Sequence, residues 1–175
     1  MRNNIILTGR PGIGKSTVVR EVVKELGVER AGGFWSGEIR EQNRRVGFQI
    51  TTISGRTGIL AHVDIERGPR VSKYTVNLKD IEEIAIPALI EARVSERIIV
   101  IDEIASMELK SPRFAPEVRR CLETRRVFAT LQERRSPFQD EIRAREDIIM
   151  LELTQSNRER MHEKVLSILR DEHLT

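Results

Sequence analysis

A single cysteine, Cys121, excludes an intramolecular disulfide and a cysteine-built zinc site, and leaves that residue as a small apolar core side chain. Phe, Trp and Tyr together make up only 4% of the 175 residues, so a core of the expected size has to be aliphatic. No apolar run approaches a membrane span. The opening residues lack the basic segment and apolar stretch of a secretory leader, so a cytoplasmic protein with no membrane partner is expected. The three histidines, His62, His162 and His173, have no metal-like spacing. An excess of one charge sign is also missing: 30 basic residues face 27 acidic ones, for a net +3. Arginine pairs at Arg44-Arg45, Arg119-Arg120, Arg125-Arg126 and Arg134-Arg135 permit a nucleic-acid surface. Their acidic neighbours favour solvated helix faces instead. Repeats, low-complexity tracts and linkers are absent, and the chain reads as one domain, residues 1–175, acting as a monomer.

Against these absences one stretch stands out. Gly9-Arg10-Pro11-Gly12-Ile13-Gly14-Lys15-Ser16, with Thr17 after it, is a full G-x-x-x-x-G-K-S phosphate-binding loop. It follows the apolar run Ile5-Ile6-Leu7 and leads into an amphipathic segment, the strand–turn–helix setting the motif requires. Glycines let successive backbone N–H groups point inward at phosphate oxygens. The N-terminus of the following helix adds partial positive charge at the same place. Lys15 is expected to reach the β and γ phosphates, Ser16 to ligate Mg²⁺, and Thr17 to approach the α-phosphate.

Val19, Val22, Val23 and Leu26 recur at helical spacing, and Gly27 offers a helix end. A strand-rich stretch follows. Phe34–Arg40, then Val46 to Thr52, then Gly58–Val63 read as strands, with a hairpin tip at Gln42-Asn43-Arg44. Residues 64–72 read as a loop and Tyr74–Val76 as a short strand. Asn77 caps an expected helix from Leu78 to Arg93, in which Pro87 should force a kink. Ile98–Ile101 and Val127–Leu131 read as strands buried on both faces. A helix is expected from the 111–116 region to Arg125, and a short one from Ser136 through Arg145. A strand over Ile148–Leu153 precedes a last helix starting near Ser156 or Asn157. Together these give an α/β class fold: a P-loop sandwich with a mainly parallel sheet flanked by helices. An antiparallel strand meander is inserted after the first strand–helix unit.

Ile98-Ile99-Val100-Ile101-Asp102-Glu103 is a Walker B pattern: an apolar strand delivering acids at its C-terminal end, where open α/β sheets bind ligands. Asp102 is expected to hold Mg²⁺ together with Ser16. Glu103 is placed to polarise a water toward the γ-phosphorus, so Glu103 and Lys15 are the expected catalytic pair.

The chain resembles the P-loop nucleoside-triphosphatase family that includes the thermophilic nucleotide phosphatases and the human cancer-related nucleoside-triphosphatase. The resemblance rests on the phosphate loop, on Gly33-Phe34 with Glu38-Ile39-Arg40, and on Arg45-Val46-Gly47-Phe48. It continues through Asp102-Glu103-Ile104 with Met107-Glu108-Leu109, Ala129-Thr130, Ser136-Pro137-Phe138, and Thr154 with Asn157-Arg158. It implies Mg²⁺-dependent hydrolysis of ATP, GTP, CTP and UTP to the diphosphate and phosphate, with little base preference. Two positions depart from the family pattern: Ala105-Ser106 stands where Gly-Lys is usual, and Gln132 where a histidine is usual. No role passes to Ser106, and only a sensor role to Gln132.

Arg113, Arg134 and Arg135 follow expected sheet ends, and any one is a candidate arginine finger in cis or a solvated side chain. Asn157-Arg158 lies near the base or ribose on the family-like reading, or Asn157 simply caps a helix. Trp35 and Phe48 are expected in the meander core. A phosphotransferase with a small-molecule or nucleic-acid acceptor, and a nucleotide-dependent RNA-binding module, stay open beside the hydrolase. The adjacent acids Asp102-Glu103 favour hydrolysis.

Overall fold

Alternation along the apolar strands decides the layering. In the computed structural model, which describes residues 3–173, Ile5 and Leu7 of β1 (Asn4–Thr8) pack on one side and Ile6 on the other. In β7 (Ile98–Ile104), Ile98 and Val100 share the first side, Ile99 and Ile101 the second. Both strands are therefore covered on both faces, as their continuous β-branched runs require. The first face is closed by α1 (Lys15–Leu26) and α6 (Met161–His173), through Val18, Val19, Val22, Met161, Val165 and Leu169. The second is closed by α3 (Ile86–Val94), α4 (Phe114–Glu123) and α5 (Pro137–Arg143), through residues such as Leu89, Phe114, Val118 and Ile142.

The remaining strands are β2 (Ala31–Glu41), β3 (Arg44–Thr52), β4 (Thr57–His62), β5 (Arg70–Val71), β6 (Tyr74–Val76), β8 (Val127–Leu131) and β9 (Ile148–Glu152). They form one nine-stranded sheet in the order β5-β6-β4-β3-β2-β7-β8-β1-β9. From β2 to β9 the pairings are parallel; from β2 outward to β5 they are antiparallel. The meander thus extends the main sheet, and β2 belongs to both halves. Phe34 and Trp35 pair on one side with Ile101 and Asp102 and on the other with Thr52 and Thr51. Gly33, with φ of 109°, brings β2 so close to β7 that a Cβ would stand 2.1 Å from the Val100 carbonyl oxygen. Gln42 and Asn43 both take positive φ in the two-residue hairpin turn, at the tip the sequence marks.

Several element boundaries differ from expectation for identifiable reasons. The stretch after Asn77 is helical through Val94 but is not one α-helix: α2 (Leu78–Asp80) passes into a π segment, Ile81–Ala85, before α3. Pro87 has no N–H to donate and crowds the preceding carbonyls, and the wider turn, with Ile86 N–H on the Ile81 carbonyl, accommodates it. The loop over 64–72 ends in the two-residue strand β5. α4 stops at Glu123 because Arg125 turns to φ of 56°. α5 stops at Arg143, and β9 at Glu152. α6 begins only at Met161, since Asn157 folds the preceding turn instead of capping a helix: its Oδ1 accepts from Thr154 N–H at 2.8 Å and its Nδ2 donates to the Glu152 carbonyl at 2.9 Å.

Candidate active site

The phosphate loop leaves the C-terminal end of β1, between β8 and β9, and enters α1 at Lys15. Gly12 and Gly14 take φ of 77° and 117°, which side-chain-bearing residues rarely adopt, so the loop curls as the motif demands. Gly14 precedes the helix with no side-chain cap, which leaves the first N–H groups of α1 aimed at the pocket. Lys15, only 9% exposed, donates to the Gly9 carbonyl at 2.8 Å and to that of Arg10 at 3.4 Å. Its Nζ also stands 3.5 Å from Glu103 Oε1.

Beside the loop opens a cavity of about 430 Å³ lined, among the residues the sequence assigns to the site, by Pro11, Gly12, Gly14, Lys15, Ser16, Thr17, Asp102 and Glu103; Gly9, Arg10 and Ile13 do not line it. Strict alternation along β7 would send Asp102 and Glu103 to opposite faces. The β7–β8 register shifts between Ile101 and Ile104, which breaks that alternation. Both carboxylates line the same pocket. Asp102 is buried; Oδ1 accepts from Thr130 Oγ1 on β8 at 2.6 Å, and Oδ2 has no partner among the described residues. Burial pushes the Asp102 carboxyl up, against the opposing pull of Thr130, Ser16, Lys15 and Arg20. Burial also raises Glu103; Lys15 opposes this and the Asp102 charge adds to it.

A free, buried carboxylate oxygen next to a serine hydroxyl is a hard oxygen donor set that suits Mg²⁺. No cluster of three or more His, Cys, Asp or Glu among the described residues could hold a metal by itself. An ion there would complete its shell with water and phosphate oxygens, as nucleotide-bound Mg²⁺ does. The residues therefore fit the ion, and Ser16 and Asp102 are the ones that would hold it.

Further residues line this pocket, or hold one of its side chains in place, without having been marked for it. Arg20, one helical turn beyond Ser16, lines the cavity, as do Glu38 of β2 and Phe48 of β3. Thr130 fixes Asp102 from the neighbouring strand. The i, i+4 spacing of Ser16 and Arg20 was the one available signal for Arg20. Phe48 is thus both pocket wall and meander packing, stacking edge-on against Tyr74 at 5.1 Å with Arg45 over its ring. Trp35 packs not in the meander core expected for it but against the core under α1 and α6, because its side chain falls on the opposite face of β2 from Phe34.

The remaining candidates lie elsewhere. Arg113 is 60% exposed and faces Glu82 at 3.8 Å. Arg134 and Arg135 line a separate cavity of about 500 Å³ beyond β8, where Arg135 is paired with Asp140 at 2.7 Å. None of these three lines the phosphate pocket. Gln132 lies in that second cavity too, its Oε1 accepting from Ser106 N–H at 3.3 Å, so it ties the exits of β7 and β8 together. Cys121 is buried, its thiol pushed up to about 12 by burial and the nearby Glu117 charge, which makes it inert core.

The chain is similar over nearly its whole length to known proteins. The family model described as NTPase matches residues 4–166. Nucleoside-triphosphatase THEP1 of Thermotoga sp. (strain RQ2) is 41% identical over 167 residues, 95% of each chain. The crystal structure of THEP1 from the hyperthermophile Aquifex aeolicus superposes with a TM-score of 0.86 at 39% identity, covering 95% of this chain and 98% of that one. The solution structure of a human cancer-related nucleoside triphosphatase gives a TM-score of 0.82 at 33% identity, covering 97% and 98%. On this similarity the chain belongs to the NTPase family, as a hydrolase of nucleoside triphosphates.

Proposed function

We propose that the protein removes the terminal phosphate of ATP, GTP, CTP and UTP with similar efficiency, in a Mg²⁺-dependent reaction. The observation that carries this reading is the shared pocket of Lys15, Ser16, Asp102 and Glu103. Every one of those groups addresses phosphate, metal or water, which all nucleoside triphosphates offer alike. When bound, Mg²⁺ would neutralise phosphate charge between Ser16 and Asp102.

Lys15 is held by loop carbonyls at the position where the phosphates enter, and its charge offsets theirs. Thr130 keeps one Asp102 oxygen occupied and leaves the other available. Glu103 is a better proton acceptor than an exposed carboxylate because burial raises it, and Lys15 at 3.5 Å favours its charged form. It would take the proton of a water that attacks the terminal phosphorus. A soluble acceptor in place of that water would make the protein a phosphotransferase. Phosphate released from each nucleotide, with no acceptor present and with or without chelator, tests the proposal. Comparable specificity constants for the four nucleotides, lost on chelation and recovered with Mg²⁺, are expected. A preference of about a thousandfold for one base, roughly 4 kcal/mol of discrimination, would require a base pocket and defeat the broad reading.

A further inference from the structure

The pocket holds more negative charge than its cations match. Its lining brings Glu38, Asp102 and Glu103 against Lys15 and Arg20, before any phosphate arrives. Glu38 is satisfied from outside the pocket, by Arg40 at 2.7 Å and Arg45 at 2.8 Å. Lys15 is committed to the loop carbonyls and to Glu103. Arg20 is the other cation of the lining, and it has no hydrogen-bond or ion-pair partner among the described residues. Its five N–H donors are unspent.

The position of that guanidinium is defined by two elements. From α1 it reaches across to β2, where its Nη2 lies 3.3 Å from the point a Cβ on Gly37 would occupy. A side chain at 37 would crowd it. It also lies close enough to Asp102 for its charge to act on that carboxyl. Arg20 therefore lines the pocket between β2 and the metal ligand Asp102, one turn along α1 from Ser16.

We infer that Arg20 is the arginine finger of this enzyme, supplied in cis from the helix of the phosphate loop itself. This rests on Glu103 being the base. In the step, the water oxygen bonds to the terminal phosphorus while the bond from phosphorus to the bridging oxygen breaks. The water proton passes to Glu103, and the electron pair leaves on the diphosphate oxygen. Arg20 contributes positive charge where negative charge gathers on the phosphoryl oxygens during that transfer. The arginines that follow β8 do not enter the pocket and take no part.

Arg20→Ala, Arg20→Lys and Lys15→Ala test this against wild type, each checked by thermal melting; alanine at an exposed helix position preserves the helix. Single-turnover hydrolysis should fall by roughly a thousandfold in Arg20→Ala, on the scale of arginine fingers. Affinity for the intact triphosphate should stay within about threefold, while binding of the diphosphate with aluminium fluoride, a mimic of the transferring phosphoryl group, is lost. Arg20→Lys should recover part of the rate, because an ammonium lacks the planar fork. Free guanidinium at millimolar concentration should restore some turnover to Arg20→Ala and none to Lys15→Ala. Turnover in Arg20→Ala within about threefold of wild type, or triphosphate affinity falling as far as turnover, overturns the inference. If Lys15→Ala hydrolyses like wild type, the phosphate-loop reading falls instead, so the two failures are distinct.

Discussion

Lys15 waits for substrate on the carbonyls of its own loop, with Glu103 at 3.5 Å as its only carboxylate partner among the described residues. Its removal leaves the phosphate charge unopposed at the bridging oxygen. Lys15→Ala should therefore lose several kcal/mol of transition-state stabilisation, the scale of a single preorganised donor. Steady-state phosphate release should drop to background, and normal turnover in a folded variant would take the loop out of the mechanism. Glu103 and Asp102 are neighbours with separable duties. Glu103→Gln keeps shape and hydrogen bonding but is a poor proton acceptor, so triphosphate affinity should persist while turnover falls by about a hundredfold or more. Calorimetry paired with single-turnover hydrolysis measures both, and a wild-type rate would leave Glu103 a mere strand-end carboxylate. Asp102→Ala should weaken metal–nucleotide binding as well as turnover. Lys15, Ser16, Asp102 and Glu103 were all legible in the sequence, because a phosphate loop and an acid-ended strand are local patterns. Glu38, Phe48 and Thr130 were not, since each owes its place to how separate strands come together in the sheet, and Arg20 was signalled only by its spacing of one helical turn from Ser16.

Among the elements, β1 is held at its start by a buried polar side chain. Asn4, fully buried, donates to the Leu122 carbonyl at 3.0 Å and accepts from Val127 N–H at 3.0 Å, tying β1 to the end of α4 and the start of β8. Asn4→Ala would strand both backbone groups and should cost about 2–3 kcal/mol, read as a lower urea midpoint with an unchanged slope. A loss under about 0.5 kcal/mol would mean that the two groups find other partners. The parallel strands and their helices were readable from period and from β-branched runs. The π segment before Pro87 and the late start of α6 were not. In both places a local device, a missing N–H or an Asn side chain turned onto Glu152 and Thr154, overrides a pattern that otherwise continues the helix. The tie between α3 and α4 was equally hidden: buried Glu117 accepts from Arg93 at 2.8 Å and Arg120 at 3.1 Å.

For the whole molecule, the response to pH is set from inside. Glu108 is buried, and one of its oxygens has no partner among the described residues. Burial drives its carboxyl up to about 8; the nearby Glu103 and Asp102 add to the rise, and its own and the Ala105 backbone N–H oppose it. The folded protein therefore holds a proton that the unfolded chain gives up near its ordinary value of 4.5. This group's stabilisation is complete below that value and is lost as pH climbs to about 8, at roughly 1.4 kcal/mol per unit. Urea unfolding in metal-free buffer should show stability sliding over that window in wild type and a flatter profile in Glu108→Gln. Equal slopes would show that the proton is not held there.

The boundary between the parallel and antiparallel halves of the sheet runs lengthwise through one strand, since Phe34 and Trp35 pair on both sides. The meander is consequently no cassette. Excising residues 31–76 would strip β7 of a neighbour and turn the strand that carries both acids into a bare rim, open to any other chain with an unpaired edge. Excising only 36–76 would spare β7 yet delete Gly37, Glu38 and Phe48 from the pocket wall. Added residues should be tolerated at the exposed Gln42-Asn43 tip, whereas neither half of the sheet can be removed without opening the other.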